Sequence, residues 1–204
     1  MRRVAEVPEA VQALYGSGVV LEFVFFADVD DTEAEARTAV GMAVEHVCTG
    51  WPAGSDGTPR GVVHRAHLHR LPCRVLTQDT FLGDWVEPGS GTRLRGRDYT
   101  GLVAPGVFSS IELWSGGQFA YAFANPPYSL RVDAGRTQEL FDAVCDLVLP
   151  TGNTCVIRDW SGEELLALCP DYFEPGTEWW GVFLFTIHLV KERRLTVIMA
   201  SQTD

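Results

Sequence analysis

The sequence predicts an α+β fold: a mainly antiparallel sheet of about six or seven strands with two long helices packed on one face. Three observations predict this class. Residues 178–201 form two apolar runs around a charged turn, residues 32–48 and 133–149 have helical spacing, and Gly- and Pro-rich segments separate these elements. At 204 residues the chain has the length of one domain. We therefore expect a single α+β domain over residues 1–204.

Residues 178–201 are typical of a β-hairpin whose turn is the charged stretch 191–194. In the first arm, apolar side chains occupy odd positions such as Phe183 and Phe185 and also even positions such as Trp180 and Leu184. A strand with one face in water alternates apolar and polar residues. This hairpin is therefore either covered on both faces, or covered on one face and contacted by a partner on the other.

The first half of the chain predicts alternating helices and strands. A short helix covers residues 8–15, and an apolar strand interrupted only by Glu22 covers residues 19–27. Thr32 and Glu35 form a capping box that begins a helix ending near Cys48. A loop, an edge strand over residues 62–76 with a break at Pro72, and a long irregular loop over residues 83–106 follow.

The second half also contains strands and helices. Residues 107–113 and 118–124 flank a Gly-rich turn and predict another hairpin, and a long helix follows over residues 133–149. A short strand at residues 155–157 and a helix ending before Pro170 lead to the final hairpin. Each long helix is followed by a Thr-Gly pair, so residues 19–106 and 107–204 are candidate halves of an internal duplication.

Charge and cysteine content restrict the partners and the compartment. The formal net charge of −11 argues against nucleic-acid binding and favours a basic protein partner. Lys191 is the only lysine among 16 basic residues, a bias typical of GC-rich bacterial genomes. Five widely spaced cysteines without a CxxC pair indicate reduced thiols. With neither a signal-peptide pattern nor a membrane-spanning apolar run, we expect a cytoplasmic protein that does not contact membranes.

An acidic motif directly follows the first apolar strand. Asp28, Asp30 and Thr32 match D-x-D-x-T, which resembles the first motif of the haloacid dehalogenase superfamily of phosphatases. The resemblance implies that Asp28 is a nucleophile, that Asp30 is a general acid and base, and that both bind Mg²⁺. The alternative is that these residues form the acidic, capped first turn of the following helix.

Two further groups of polar residues are candidate sites. On the predicted strand 62–76, His67 and His69 would project from one face, as a pair of metal ligands does, or form a polar strand face without metal. In the long loop, Arg93, Arg95 and Arg97 alternate within a Gly-rich segment and could bind a phosphate or carboxylate. The alternative there is a solvated loop with internal ion pairs.

Tryptophan is the remaining candidate for partner binding, because its ring contributes a large area to an interface. The six tryptophans include five that we predict at a partner-binding surface: Trp51, Trp85, Trp114, Trp160 and Trp180.

Two classes of function follow from these observations. The first is a non-catalytic binding protein, such as a bacterial immunity or antitoxin-type protein that binds a basic protein and needs no cofactor. The alternative is an enzyme, either a Mg²⁺-dependent phosphatase using Asp28 and Asp30 or an anion-substrate enzyme using the Arg93 to Arg97 loop. The sequence leaves the oligomeric state open.

Overall fold

The computed structural model of the chain describes residues 1–82, 85–86, 93–94, 118–178 and 180–202. Within these residues, six strands form one antiparallel sheet in the order β1-β2-β8-β7-β6-β3, and β4 and β5 pair separately. The strands are β1 (Arg2–Arg3), β2 (Glu22–Ala27), β3 (Arg74–Leu76), β4 (Trp85–Val86), β5 (Arg93–Leu94), β6 (Cys155–Asp159), β7 (Val182–Leu189) and β8 (Arg194–Ser201).

The predicted C-terminal hairpin lies at the centre of the sheet. Its arms pair from Val182 opposite Ser201 to Leu189 opposite Arg194. Every residue of β7 is buried. We name the two sides of the sheet by the residue numbers of β7: the even face carries Leu184 and His188, and the odd face carries Phe183 and Phe185. The alternative of a partner-facing side is therefore wrong, because the protein itself covers both faces of the hairpin.

The sheet is packed against α-helices and short 3-10 helices. Within the described residues they are α1 (Glu9–Gln12), α2 (Glu33–Cys48), α3 (Gln78–Leu82), α4 (Phe119–Ala124), α5 (Ala134–Val148), α6 (Glu164–Leu168) and α7 (Pro170–Phe173), with 3-10 helices at Arg65–Arg70 and Pro175–Thr177. The predicted α+β class is confirmed, as are both long helices. The predicted cap of the first is confirmed too, since Thr32 caps α2, and Asp133 caps α5.

The two long helices lie on opposite faces of the sheet, not on one face as predicted. The small residues of α2, such as Ala36 and Ala43, pack with Leu184 on the even face. On the odd face, Phe141 and Val144 of α5 pack with Phe185. The physical reason lies in the hairpin, because a strand that is apolar on both sides needs an apolar layer against each of them.

The predicted strand over residues 62–76 is mostly not a strand. Arg65–Arg70 form a 3-10 helix, and only Arg74–Leu76 pair with β6, at the edge of the sheet. The 3-10 helix is held against α2 by Arg37, whose Nη1 donates to the carbonyl oxygens of Leu68 (2.5 Å) and Leu71 (3.0 Å). This tertiary contact overrides the partial alternation of the sequence.

The predicted second arm of a hairpin at residues 118–124 is also wrong, since Phe119–Ala124 form α4. Phe119, Ala120, Ala122 and Phe123 are all buried in the odd-face core, and the ring of Phe119 stacks on Phe81 of α3 at 4.7 Å between centroids. A helix buries these residues together, whereas a strand would send them to two sides. The other arm, residues 107–113, lies outside the described residues.

The remaining elements agree with the sequence within a few residues. The strands predicted at 19–27 and 155–157 correspond to β2 and β6, and the helix predicted before Pro170 is α6. Strands from the first predicted half, β2 and β3, lie on either side of the three from the second half. Among the described residues, no helix combines the length and apolar character that crossing a membrane requires.

Candidate functional site

The acidic loop between β2 and α2, residues 28–32, contains the phosphatase-like motif. Asp28 has a left-handed backbone with φ of 58°, which turns the chain at the end of β2. Val29 is fully buried, and its N–H donates to the carbonyl oxygen of Arg193 at 3.0 Å. Thr32 accepts from the N–H of Glu35 at 3.2 Å, while the Glu35 carboxylate accepts from the N–H of Asp30 at 2.7 Å. The loop is therefore fixed at both ends.

Asp28 and Asp30 are both exposed and contact different arginines. Asp28 Oδ2 lies 3.8 Å from Arg2 Nε, and Asp30 Oδ1 lies 3.0 Å from Arg193 Nη1. The resemblance to the phosphatase family implies that the two carboxylates share a cation, whereas in this structure each contacts a separate arginine. The catalytic roles of Asp28 and Asp30 stay a prediction.

Asp31 is the loop carboxylate that faces the protein. Its Oδ1 accepts a hydrogen bond from Arg158 Nη2 at 2.7 Å and lies 3.4 Å from His188 Nδ1. Arg158 is on β6 and His188 on β7, so the three residues come from distant parts of the chain. The side chain of Arg158 is 9% exposed and that of His188 is 1% exposed. We name these three residues the Asp31 cluster.

Electrostatics within the Asp31 cluster favour the ionised carboxylate. Burial opposes ionisation of Asp31, but the hydrogen bond and charge of Arg158, together with His188, outweigh it and lower the pKa. His188 Nε2 lies 3.1 Å from the carbonyl oxygen of Val29. Because a carbonyl only accepts, Nε2 carries a proton. Among the described residues, buried Arg158 Nη1 and His188 Nδ1 have no hydrogen-bond partner.

The even face contains a second group of polar contacts, formed by Trp160, Thr186 and Arg37. The indole Nε1 of Trp160 donates to Thr186 Oγ1 at 3.0 Å, and the guanidinium of Arg37 lies 4.9 Å from the centre of the Trp160 ring. This second group joins α2 to β6 and β7. The Asp31 cluster and this second group each connect the start of α2 to the sheet.

Not all of the tryptophans predicted to contact a partner are exposed to solvent. Trp160 and Trp180 are fully buried, so neither forms a partner-binding surface. Trp51 is half-buried, with its Nε1 donating to the carbonyl oxygen of Val47 at 3.1 Å and its ring 6.1 Å from that of Tyr172. The side chains of Trp85 and Trp114 lie outside the described residues. Large rings serve the core as well as interfaces, which explains the error.

The histidine pair does not have the geometry on which its prediction rested. His67 and His69 lie in the 3-10 helix, where successive residues turn by about 120°, so residues two apart do not share a face. The ring of His67 instead meets that of His64 edge-on at 6.4 Å. Across the described ranges, no three His, Cys, Asp or Glu side chains are grouped in a way that could hold a metal ion.

Of the three arginines in the long loop, only the backbone of Arg93 lies within the described residues. Arg93 begins β5 and pairs with Val86 of β4, while its side chain and residues 95 and 97 lie outside the described part of the chain. Anion binding by Arg93, Arg95 and Arg97 stays a prediction.

A distinct charged surface follows Trp160. Between residues 161 and 190 the chain contains no lysine or arginine. Its carboxylates lie on α6, on α7 and beside them. We name these residues the acidic segment: Glu163, Glu164, Asp171, Glu174 and Glu178.

The carboxylates of the acidic segment contrast with those of the β2–α2 loop. Glu163, Glu164 and Glu174 are exposed and form no ion pair with any described residue. Loop residues Asp28, Asp30 and Asp31 each contact an arginine. The missed signal was the absence of basic residues along 30 positions, which the charge total alone does not reveal.

Fold and charge together define the class of protein: an acidic α+β protein whose antiparallel sheet is covered by helices on both faces. No protein-family model, curated protein or solved structure matches the chain.

Proposed function

We propose that the protein is a binding protein that recognises a basic protein partner through the acidic segment. The observation that carries the proposal is the exposure of Glu163, Glu164 and Glu174 without ion pairs among the described residues. Carboxylates in this state attract a cationic surface without first losing an internal partner. The acidic loop at residues 28–32 is less suited, because its charges already contact arginines.

The base under the acidic segment is buried and hydrogen-bonded, which favours recognition by a preformed surface. Leu165, Leu168 and Phe173 of α6 and α7 are fully buried. Behind them, Ser201 Oγ donates to the carbonyl oxygen of Phe173 and accepts from the N–H of Gly176, both at 2.9 Å. Glu174 therefore follows a helix that is fixed to the end of β8, while Glu163 and Glu164 lie at the start of a helix whose apolar side is buried.

The narrower form of the proposal is an immunity or antitoxin-type role in a bacterium, in which the partner is a basic toxin. The net charge of −11 supports a basic partner, whether that partner is a toxin or another basic protein. Co-expression with the product of a neighbouring gene tests the narrower form. Growth arrest by that product, relieved by this protein and not by a variant of the acidic segment, is the expected result.

The general form is tested by neutralising the acidic segment. The variant Glu163→Gln, Glu164→Gln, Glu174→Gln removes three exposed charges, and an oligoarginine peptide at physiological salt is the probe. We expect about tenfold weaker binding, because three exposed ion pairs at about 0.5 kcal/mol each amount to about 1.5 kcal/mol, and a tenfold change corresponds to about 1.4 kcal/mol. Isothermal titration calorimetry measures the dissociation constants.

The matched control removes the same charge elsewhere. Glu6, Glu9 and Asp79 are also exposed, and their Gln and Asn variants should weaken peptide binding less than threefold. Equal weakening by both triple variants would mean that only net charge matters and would overturn the proposal. Hydrolysis of a phosphate ester by the wild type that Asp28→Asn or Asp30→Asn abolishes, with the fold intact, would favour the enzyme instead.

A further inference from the structure

Two cysteines from distant parts of the chain meet in the even-face core. Cys48 is the last residue of α2, and Cys169 lies between α6 and α7. Their Sγ atoms are 3.6 Å apart, and the two residues are 2% and 0% exposed. All five cysteines are free thiols. A disulfide needs an S–S bond of about 2.05 Å, so the two sulfurs must approach each other by about 1.5 Å.

The two thiols have unequal acidity because they share one hydrogen bond. The hydrogen bond to Cys169 and burial raise the pKa of Cys48. The same hydrogen bond lowers the pKa of Cys169, with a contribution from the Tyr172 backbone. Either sulfur can donate this hydrogen bond, but Cys169 is the more acidic of the two thiols and therefore the one that supplies the thiolate, the reactive form of cysteine.

We propose that Cys48 and Cys169 form an oxidative modification site, at which a peroxide converts the two thiols into an intramolecular disulfide. The Cys169 thiolate attacks one oxygen of hydrogen peroxide, the O–O bond breaks, and a sulfenic acid and water form once the leaving hydroxide takes a proton. The Cys48 sulfur then attacks the sulfenic sulfur, loses its proton, and displaces the hydroxyl group as a second water. The two thiols lose two electrons, which reduce the peroxide.

Access to the pair is controlled by the segment that covers it, residues 49–64. Gly61 lies directly on Cys48, because a Cβ at Gly61 would be 2.8 Å from the Cys48 carbonyl oxygen. The segment is attached by the N–H of Gly61, which donates to Asp171 Oδ2 at 2.7 Å, and by the N–H of His64, which donates to the Leu168 carbonyl at 2.8 Å. Most side chains between residues 52 and 60 are exposed. Local opening of this segment admits the peroxide.

The disulfide would join the end of α2 to the junction of α6 and α7. Glu164 and Asp171 lie on these two short helices and Glu163 and Glu174 flank them, so oxidation fixes that surface to α2. The modification does not depend on the proposed binding function, since its test observes the thiols directly.

The test treats the folded full-length protein with hydrogen peroxide and measures intact mass and cross-linked peptides. We expect a loss of about 2 Da, a single cross-link between the Cys48 and Cys169 peptides, and reversal by dithiothreitol. Cys48→Ala and Cys169→Ala should abolish the mass loss. Cys155→Ala, which changes a half-buried thiol on β6, should retain it.

Peptide mapping of the wild type decides the matter even if a cysteine variant fails to fold. Cys48 and Cys169 recovered as free thiols, or as separate sulfinic acids after the peroxide treatment, would overturn the proposal. A cross-link that joins either residue mainly to another cysteine would overturn it as well. Circular dichroism before treatment establishes that each variant compared is folded.

Discussion

At the scale of single residues, Asp31 differs from its neighbours in the acidic loop. The D-x-D-x-T spacing draws attention to Asp28 and Asp30, yet these two face solvent and Asp31 contacts Arg158 and His188. The left-handed turn at Asp28 and the burial of Val29 set this orientation. Sequence spacing cannot reveal it, because Arg158 follows Asp31 by 127 positions.

Replacement of Asp31 by alanine should destabilise the protein by about 2 kcal/mol, because a buried guanidinium loses its charged hydrogen-bond partner. Asp28→Ala is the matched control in the same loop. Its contact with Arg2 is 3.8 Å long and both side chains are 68% exposed, so we expect a change within about 0.5 kcal/mol. Urea unfolding followed by circular dichroism measures both. Equal effects would show that the Asp31 cluster is not a stabilising contact.

The effect of Asp31→Ala should also depend on pH. The pKa of Asp31 in the folded protein lies below its ordinary value of 3.8, so the folded state keeps the carboxylate ionised where the unfolded chain protonates it. The stabilisation is complete above the unfolded pKa and is lost as pH falls through the lower folded pKa. The difference between wild type and variant should therefore shrink between about pH 5 and pH 3. A constant difference over that range would contradict the assignment.

At the scale of elements, the sequence predicts correctly those features that depend on neighbouring residues, such as helix caps and turns. Thr32 caps α2 as the sequence predicts, and the turn of the final hairpin lies within one residue of the predicted stretch 191–194. The errors concern segments whose structure depends on distant partners. Residues 65–70 form a 3-10 helix against α2, where Arg37 donates to the carbonyl groups of Leu68 and Leu71. Similarly, α4 is helical because its aromatic side chains pack into the core on the odd face.

The start of α2 provides a prediction for an element. Thr32→Ala removes the acceptor of the Glu35 N–H and should lower the free energy of unfolding by about 1 kcal/mol. Thr38 is an exposed residue within the same helix, and Thr38→Ala should be neutral or slightly stabilising, since alanine is the best helix former. Chemical denaturation compares the two variants. A cost for Thr38→Ala as large as that for Thr32→Ala would argue against a specific capping effect.

At the scale of the whole molecule, the central hairpin determines the arrangement of layers. The sequence shows that both of its faces are apolar, but the pattern cannot state what covers them. We expected both long helices on one face. Because they lie on opposite faces, each face of the hairpin is buried inside the protein. The distribution of charge on the surface likewise cannot be predicted from the sequence. A net charge of −11 predicts a basic partner, while only the structure separates paired carboxylates from exposed ones.

The three-layer arrangement predicts that both faces of β7 contribute strongly to stability. Leu184 on the even face and Phe185 on the odd face are both fully buried. Leu184→Ala should cost about 2–5 kcal/mol and Phe185→Ala about 3–5 kcal/mol, through lost transfer energy and a remaining cavity. Val75→Ala on the edge strand β3, where the residue is 71% exposed, should change stability by less than about 0.5 kcal/mol.

Thermal and urea unfolding of the three variants measure these costs. A sheet covered on one face only would make one of the two central substitutions nearly neutral, because the side chain on the open face would lose little buried area. Large losses for both, with Val75→Ala close to the wild type, require apolar layers on both sides of the hairpin. A small effect of Leu184→Ala would remove α2 from the even face and, with it, the packing that brings Cys48 to Cys169.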